Sequence, residues 1–120
     1  MISIDYKDSR SLHEQIEDGI KTLIINNILK EDEQLPSVRE LSVTLTVNPN
    51  TVQKAYKQLE TEGYIYSVKG KGNFIASFSN AKDGKKISEL YDNLHTVLKS
   101  LIYLGESEEK IYKFIKEEIK

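Results

Sequence analysis

Two helix-start signals standing close together constrain this chain more than anything else in it. Ser37 followed three residues later by Glu40 is a capping box. Val38, Leu41 and Leu45 then recur at helical spacing, which predicts a short helix over 38–45. Asn48 followed by Pro49 is the second signal. Asn accepts from free amides at an N-cap, and Pro at the first helical position loses nothing by lacking its own N–H. A second helix is therefore predicted from Pro49, with Val52, Ala55, Tyr56 and Leu59 on its apolar face and an exit at Gly63, a residue able to take the left-handed conformation. Only about three residues separate the two helices, so the turn between them is sharp.

The face of the second helix opposite its apolar stripe carries Asn50, Thr51, Gln53, Lys54, Lys57 and Gln58. These are hydrogen-bonding groups and two cations with no carboxylate among them, the chemistry of a helix that reads base edges in a major groove. Tyr64–Val68 and Asn73–Phe78 alternate as two strands, and Lys69-Gly70-Lys71-Gly72 joins them with the glycines a tight hairpin needs. Taken singly, a cap only caps, a surface amide is only solvated and a Gly-Lys-Gly turn only turns. In this order they describe a winged helix-turn-helix with a basic wing.

These residues carry a family resemblance. Leu35-Pro36-Ser37, Arg39, Leu41, Thr51-Val52, Leu59, Gly63, Gly70, Gly72 and Phe74 match the pattern of the N-terminal domain of GntR-family bacterial transcription regulators. The run Val47–Glu60 and the short tail are similar to the YtrA subfamily, small repressors typically encoded beside transporter operons. The likeness covers Ile4 to about Phe78. It implies that Arg39, Asn48, Asn50, Thr51, Gln53, Lys69, Gly70 and Lys71 lie at positions that touch DNA in relatives. With Ser37 and Lys54 they form the candidate DNA-binding set. Three positions depart from the pattern: Thr46 stands where the turn usually has Gly, Pro49 where many relatives have Arg, and Glu33 where the loop before Leu35 often has Gly. A Thr is strained at positive φ, so a somewhat different turn is expected at Thr46. Pro49 cannot reach a base edge as Arg can, which moves readout to Asn50, Gln53 and Lys54.

The formal net charge of −2 argues against a nucleic-acid partner until its distribution is counted. Residues 1–35 hold 4 basic and 8 acidic side chains, residues 36–75 hold 5 basic and 3 acidic, and residues 76–120 hold 8 of each. The positive excess thus sits on the proposed reader. Absence of Cys, 30% charged residues and no apolar N-terminal run fit a soluble cytoplasmic protein, and no segment nears the ~20 apolar residues of a membrane span.

Ahead of the reader, Ile2, Ile4 and Tyr6 alternate as a short strand or an extended arm. Ser11 and Glu14 form another capping box, and Leu12, Ile16, Ile20, Leu23, Ile24 and Ile28 mark the buried stripe of a scaffold helix running to about Ile28. After the wing, Ser77–Lys86 has a linker composition. A helix with Ile87, Leu90, Tyr91, Leu94, Leu98, Leu101 and Ile102 on one face then ends at Gly105, and a last one follows the Ser107 cap with Ile111, Phe114, Ile115 and Ile119. The expected class is mainly α with a small β wing, a DNA-binding domain over 1–78 and a two-helix hairpin over 79–120. Such a hairpin cannot bury both stripes alone. Leu90, Leu94, Leu98, Leu101, Phe114 and Ile115 are its candidate dimerisation residues.

The expected activity is that of a sequence-specific DNA-binding regulator, a repressor acting as a homodimer on a palindromic operator. The competing reading is a winged helix that binds protein without specific DNA binding, a use the fold also serves. An enzyme has little support, since neither His13 nor His95 has a ligand or nucleophile at useful spacing. Gly70-x-Gly72 opens a strand and not the helix N-terminus that a phosphate loop requires. No cofactor or metal is implied, and nothing in the sequence names a small-molecule effector.

Overall fold

The computed structural model describes residues 2–77 and 83–120, and the chain divides into two compact units, Met1–Lys82 and Asp83–Lys120. In the first, Ser11 caps α1 (Leu12–Ile25) by accepting from the Glu14 amide. Ile16 and Ile20 from this helix are at most 1% exposed at the heart of the core. The helix stops three residues short of the expected Ile28. Asn27 adopts φ 59, a left-handed conformation that Asn tolerates, and the Ile28 amide turns back to Leu23 O at 2.8 Å. Ile28 is consequently exposed and does not belong to the buried stripe. The N-terminal residues form an arm, with Asp5 N–H donating to Gln15 Oε1 and Gln15 Nε2 returning to Asp5 O, each at 2.9 Å.

Helix α2 (Val38–Leu45) starts at a complete capping box: Glu40 N–H donates to Ser37 Oγ and Ser37 N–H to Glu40 Oε1, each at 3.0 Å. Helix α3 (Pro49–Thr61) starts at Asn48, whose Oδ1 accepts from Asn50 N–H at 2.8 Å, and is followed by Gly63 at φ 85. Its inner face is fully enclosed, with Val52, Ala55 and Leu59 at 0% exposure. Tyr56 Oη donates to Pro36 O at 2.8 Å, tying α3 to the entry of α2; burial pushes its phenol well above the usual range, so the donor is retained.

Strands β1 (Ile65–Val68) and β2 (Gly72–Ile75) pair antiparallel from Ile65 opposite Ile75 to Val68 opposite Gly72. Both are shorter than expected. Tyr64 and Ala76 remain joined by one hydrogen bond of 2.9 Å beyond the ladder, and Phe78 lies outside the described residues.

The second unit consists of α4 (Gly84–Tyr103) and α5 (Glu108–Ile119). The expected linker reached Lys86, but Asp83 accepts from the Lys86 amide at 3.0 Å and starts the helix at Gly84. Residues 78–82 of that linker are not among those described. Gly105 at φ 90 closes α4, and Ser107 caps α5. No residue of either helix is buried. Leu98, Leu101, Ile111 and Ile115 half-bury one another along a groove of about 570 Å³, while Leu90, Leu94 and Phe114 remain 45%, 44% and 64% exposed.

Candidate nucleic-acid interface

Because Val52, Ala55, Tyr56 and Leu59 all point into the core, helical geometry turns Asn50, Gln53, Lys54 and Lys57 outward. All four are exposed, and none of their side chains has a hydrogen-bond or ion-pair partner among the described residues. Thr51 is half-buried beside them. Gln58 differs: its Nε2 donates to Glu62 Oε1 at 2.6 Å, so the side chain at the far end of the expected reading face is already occupied. Glu62 is in turn paired with the buried Lys21 of α1 at 2.7 Å, and the Lys21 ammonium lies 5.1 Å from the centre of the Tyr64 ring. The carboxylate nearest the exit of α3 is thereby neutralised internally, which raises the effective positive balance of the outer face.

The turn between α2 and α3 corrects one expectation. Thr46 does take the left-handed conformation, φ 56 and ψ 48, and does not avoid it through a different turn. The reason is the six-to-one closure of α2, in which Val47 N–H reaches Ser42 O at 3.0 Å. In the loop before Leu35 the left-handed residue is Asp32 at φ 64, one place before Glu33.

At the other end of α2, Ser37 spends both its hydroxyl acceptor and its amide in the capping box. The Ser37 bonds hold the Glu40 carboxyl below the usual range, so it stays ionised beside Arg39. Arg39 is exposed, with a side chain free of partners among the described residues. Asn48 is divided in function: its carbonyl oxygen caps α3 and its amide group is left for an outside acceptor.

The wing tip is a turn in which Lys71 N–H donates to Val68 O at 2.9 Å around Gly70 at φ 79. Lys69 and Lys71 are exposed there, again unpartnered among the described residues. What the sequence reading missed is the support of this ribbon from outside. Residues 32–35 run along β2, with Gln34 opposite Phe74, and Gln34 Nε2 donates to Lys71 O at 2.8 Å. Tyr66 stacks on Phe74 at 5.6 Å and donates to Asp32 Oδ1 at 2.7 Å. The only signal for this in the sequence is an apolar Leu35 ending a polar run, too little to assign a strand.

Arg39, Asn48, Asn50, Gln53, Lys54, Lys69, Gly70 and Lys71 are thus all exposed, while Ser37 and Thr51 serve mainly to start and seat the helices. Uncommitted cations and amides are suited to phosphates and base edges.

The family profile of bacterial regulatory proteins, gntR family, matches residues 12–75. The HTH-type transcriptional repressor YtrA of Bacillus subtilis is 40% identical over 98% of this chain and 91% of its own length. Among solved structures, a transcriptional antiterminator from Listeria monocytogenes is 38% identical with a TM-score of 0.68, covering 100% of this chain and 90% of that one. AraR(DBD) in complex with operator ORE1 is 26% identical with a TM-score of 0.55, covering 63% of this chain and 93% of that one.

Proposed function

Because this chain belongs to the GntR family of bacterial regulatory proteins and is a DNA-binding transcription regulator, we propose that it is a YtrA-like repressor. In this reading it binds a palindromic operator in the cytoplasm as a homodimer. The observation that carries the proposal is the outer face of α3: Asn50, Gln53, Lys54 and Lys57 are exposed, their side chains without partners among the described residues, and are set opposite a fully buried inner face. Gln53 and Asn50 suit adenine edges, and Lys54 suits a base edge or the adjoining phosphate. Arg39, Lys69 and Lys71 hold the backbone or minor groove, and Asn48 with the Gly70 backbone closes on the strand between them. Residues 1–78 act as the DNA-binding domain and residues 79–120 as the dimerisation hairpin, its contact formed by Leu90, Leu94, Leu98, Leu101, Phe114 and Ile115. A pair of amphipathic helices in which no residue is buried supports that assignment. The regulated genes, following the YtrA likeness, are those of a transporter operon. Among the described residues, no helix is long and apolar enough to cross a membrane.

Enrichment of operators from a random duplex pool tests this reading. The expected product is an inverted repeat with half-sites about one helical turn apart. Replacing Gln53 with Ala then changes the preferred base in each half-site and costs about 1–3 kcal/mol on the best site but little on random DNA. A loss equal on every sequence would move Gln53 from the bases to the backbone, and enrichment of single, unrepeated sites would refute the dimer.

A further inference from the structure

The wing is fastened at its tip by a side chain that lies outside it. A ribbon of two four-residue strands is marginal by itself, and here residues 32–35 extend it as a third antiparallel segment. Leu35 N–H donates to Asn73 O and Ile75 N–H to Glu33 O, each at 2.9 Å, on either side of the Gln34–Phe74 pair. Antiparallel donors recur every second residue, so the next rung would carry Ser37 N–H to Lys71 O. That amide is already given to Glu40 Oε1 in the cap of α2, and Pro36 between them has no N–H. The rung is completed instead by the side chain of Gln34, whose Nε2 reaches Lys71 O at 2.8 Å. Gly72, at φ +125, leaves room for it: a Cβ there would stand 3.0 Å from the same nitrogen.

We propose that Gln34 is a positioning residue for DNA binding, its side-chain amide holding the wing tip at Lys71 to the entry of α2. The proposal rests on the reading of the wing as a DNA contact. Lys71 carries both the clamped carbonyl and the free ammonium, so the clamp acts on the residue that brings the charge. A tip ordered in advance loses less conformational freedom when it meets a phosphate.

The test measures binding of the full chain to its selected duplex over a range of salt concentrations, using the parent, Lys71→Ala, Gln34→Met, Gln34→Glu and the Gln34→Met/Lys71→Ala double variant. Gln34→Met and Gln34→Glu keep the length of the side chain and remove the donor. Each is expected to weaken binding about three- to tenfold, a hydrogen bond's net worth expressed as affinity. In the Lys71→Ala background Gln34→Met should cost nothing further, since the two act through one contact. Amide exchange at Lys71 and Gly72 should quicken in Gln34→Met, with stability to urea falling by no more than that one hydrogen bond's worth. Parent-like binding by Gln34→Met, or losses that simply add, would overturn the role of Gln34 while leaving the wing contact intact wherever Lys71→Ala alone lowers the salt slope. An unchanged slope in Lys71→Ala would overturn both.

Discussion

Thr46 sits at φ 56 and ψ 48 at the exit of α2, with its side chain exposed and without a hydrogen-bond partner among the described residues. Nothing the hydroxyl touches offsets the strain of that backbone. A left-handed residue with a Cβ costs about 1–2 kcal/mol, and a β-branched one lies toward the upper end. Replacing it with Gly removes this cost and adds about 0.5–1 kcal/mol of chain entropy to be lost on folding. The difference leaves Thr46→Gly more stable by about 0.5–1 kcal/mol, which in a unit of this size raises the melting temperature by about 3–6 °C. Thr46→Ala is the control, because it deletes the side-chain branch but keeps a Cβ, and should recover less than half of the gain. Both are read by thermal and urea unfolding of the full chain, followed by circular dichroism. A Thr46→Gly protein that melts at or below the parent would refute the argument, and so would an equal gain in Thr46→Ala.

Lys71→Ala should weaken binding to all sequences alike and reduce the slope of log affinity against log salt by about one, as measured by anisotropy titrations. Leu98→Asp should yield a folded monomer, since removing one buried side chain of about 1.5–3 kcal/mol from each protomer raises the dimer dissociation constant at least about 100-fold. Sedimentation equilibrium decides it, and a monomeric parent at micromolar concentration would defeat the assignment of the tail. Burial pushes the Glu17 carboxyl above its ordinary value of 4.5, against the opposing pull of His13 and Lys21, with Glu62 adding to the rise. A carboxyl raised on folding contributes stability below its ordinary value and loses it as pH climbs through the elevated one. Glu17→Gln should therefore be the more stable protein at neutral pH, with the gap closing toward and below about pH 4.5; urea midpoints that order the other way would show that the His13 contact outweighs burial.

The elements that could be read from the chain are those whose signals lie within four residues of their effect. Ser37 with Glu40, Asn48 with Pro49, and Ser107 each start a helix where the residues predict it, because a capping bond spans only two or three positions. The inner face of α3 was equally legible, since Val52, Ala55, Tyr56 and Leu59 repeat at helical spacing. What escaped the reading depends on partners far away in sequence. Gln34 and Lys71 are 37 residues apart and Tyr66 and Asp32 are 34 apart, and no local pattern announces either pair. Gln58 looked like part of the reading face until Glu62 and the buried Lys21 claimed it. At Thr46 the local preference against a left-handed Thr loses, because the six-to-one bond closing α2 outweighs one strained residue.

The same distinction between local and global resolves the charge. A chain of net charge −2 would be a poor partner for DNA if its field were uniform, but screening limits a surface charge to about 8 Å at physiological salt. Over residues 36–75 only Glu62 is neutralised by a cation, Lys21, whereas Glu40 in the cap with Ser37 and Glu60, which accepts from Ser67 Oγ at 2.7 Å, keep their charge. Arg39, Lys54, Lys57, Lys69 and Lys71 have no such partners among the described residues. Five cations against two carboxylates without a cationic partner among the described residues leave this stretch locally positive on an acidic protein. The acidic remainder acts at longer range and only at low salt, where it opposes approach to any duplex regardless of sequence. On the proposed reading, weak attachment to random DNA at low salt is the expected outcome, and discrimination is assigned to the amides of Asn50 and Gln53, which carry no charge to be screened.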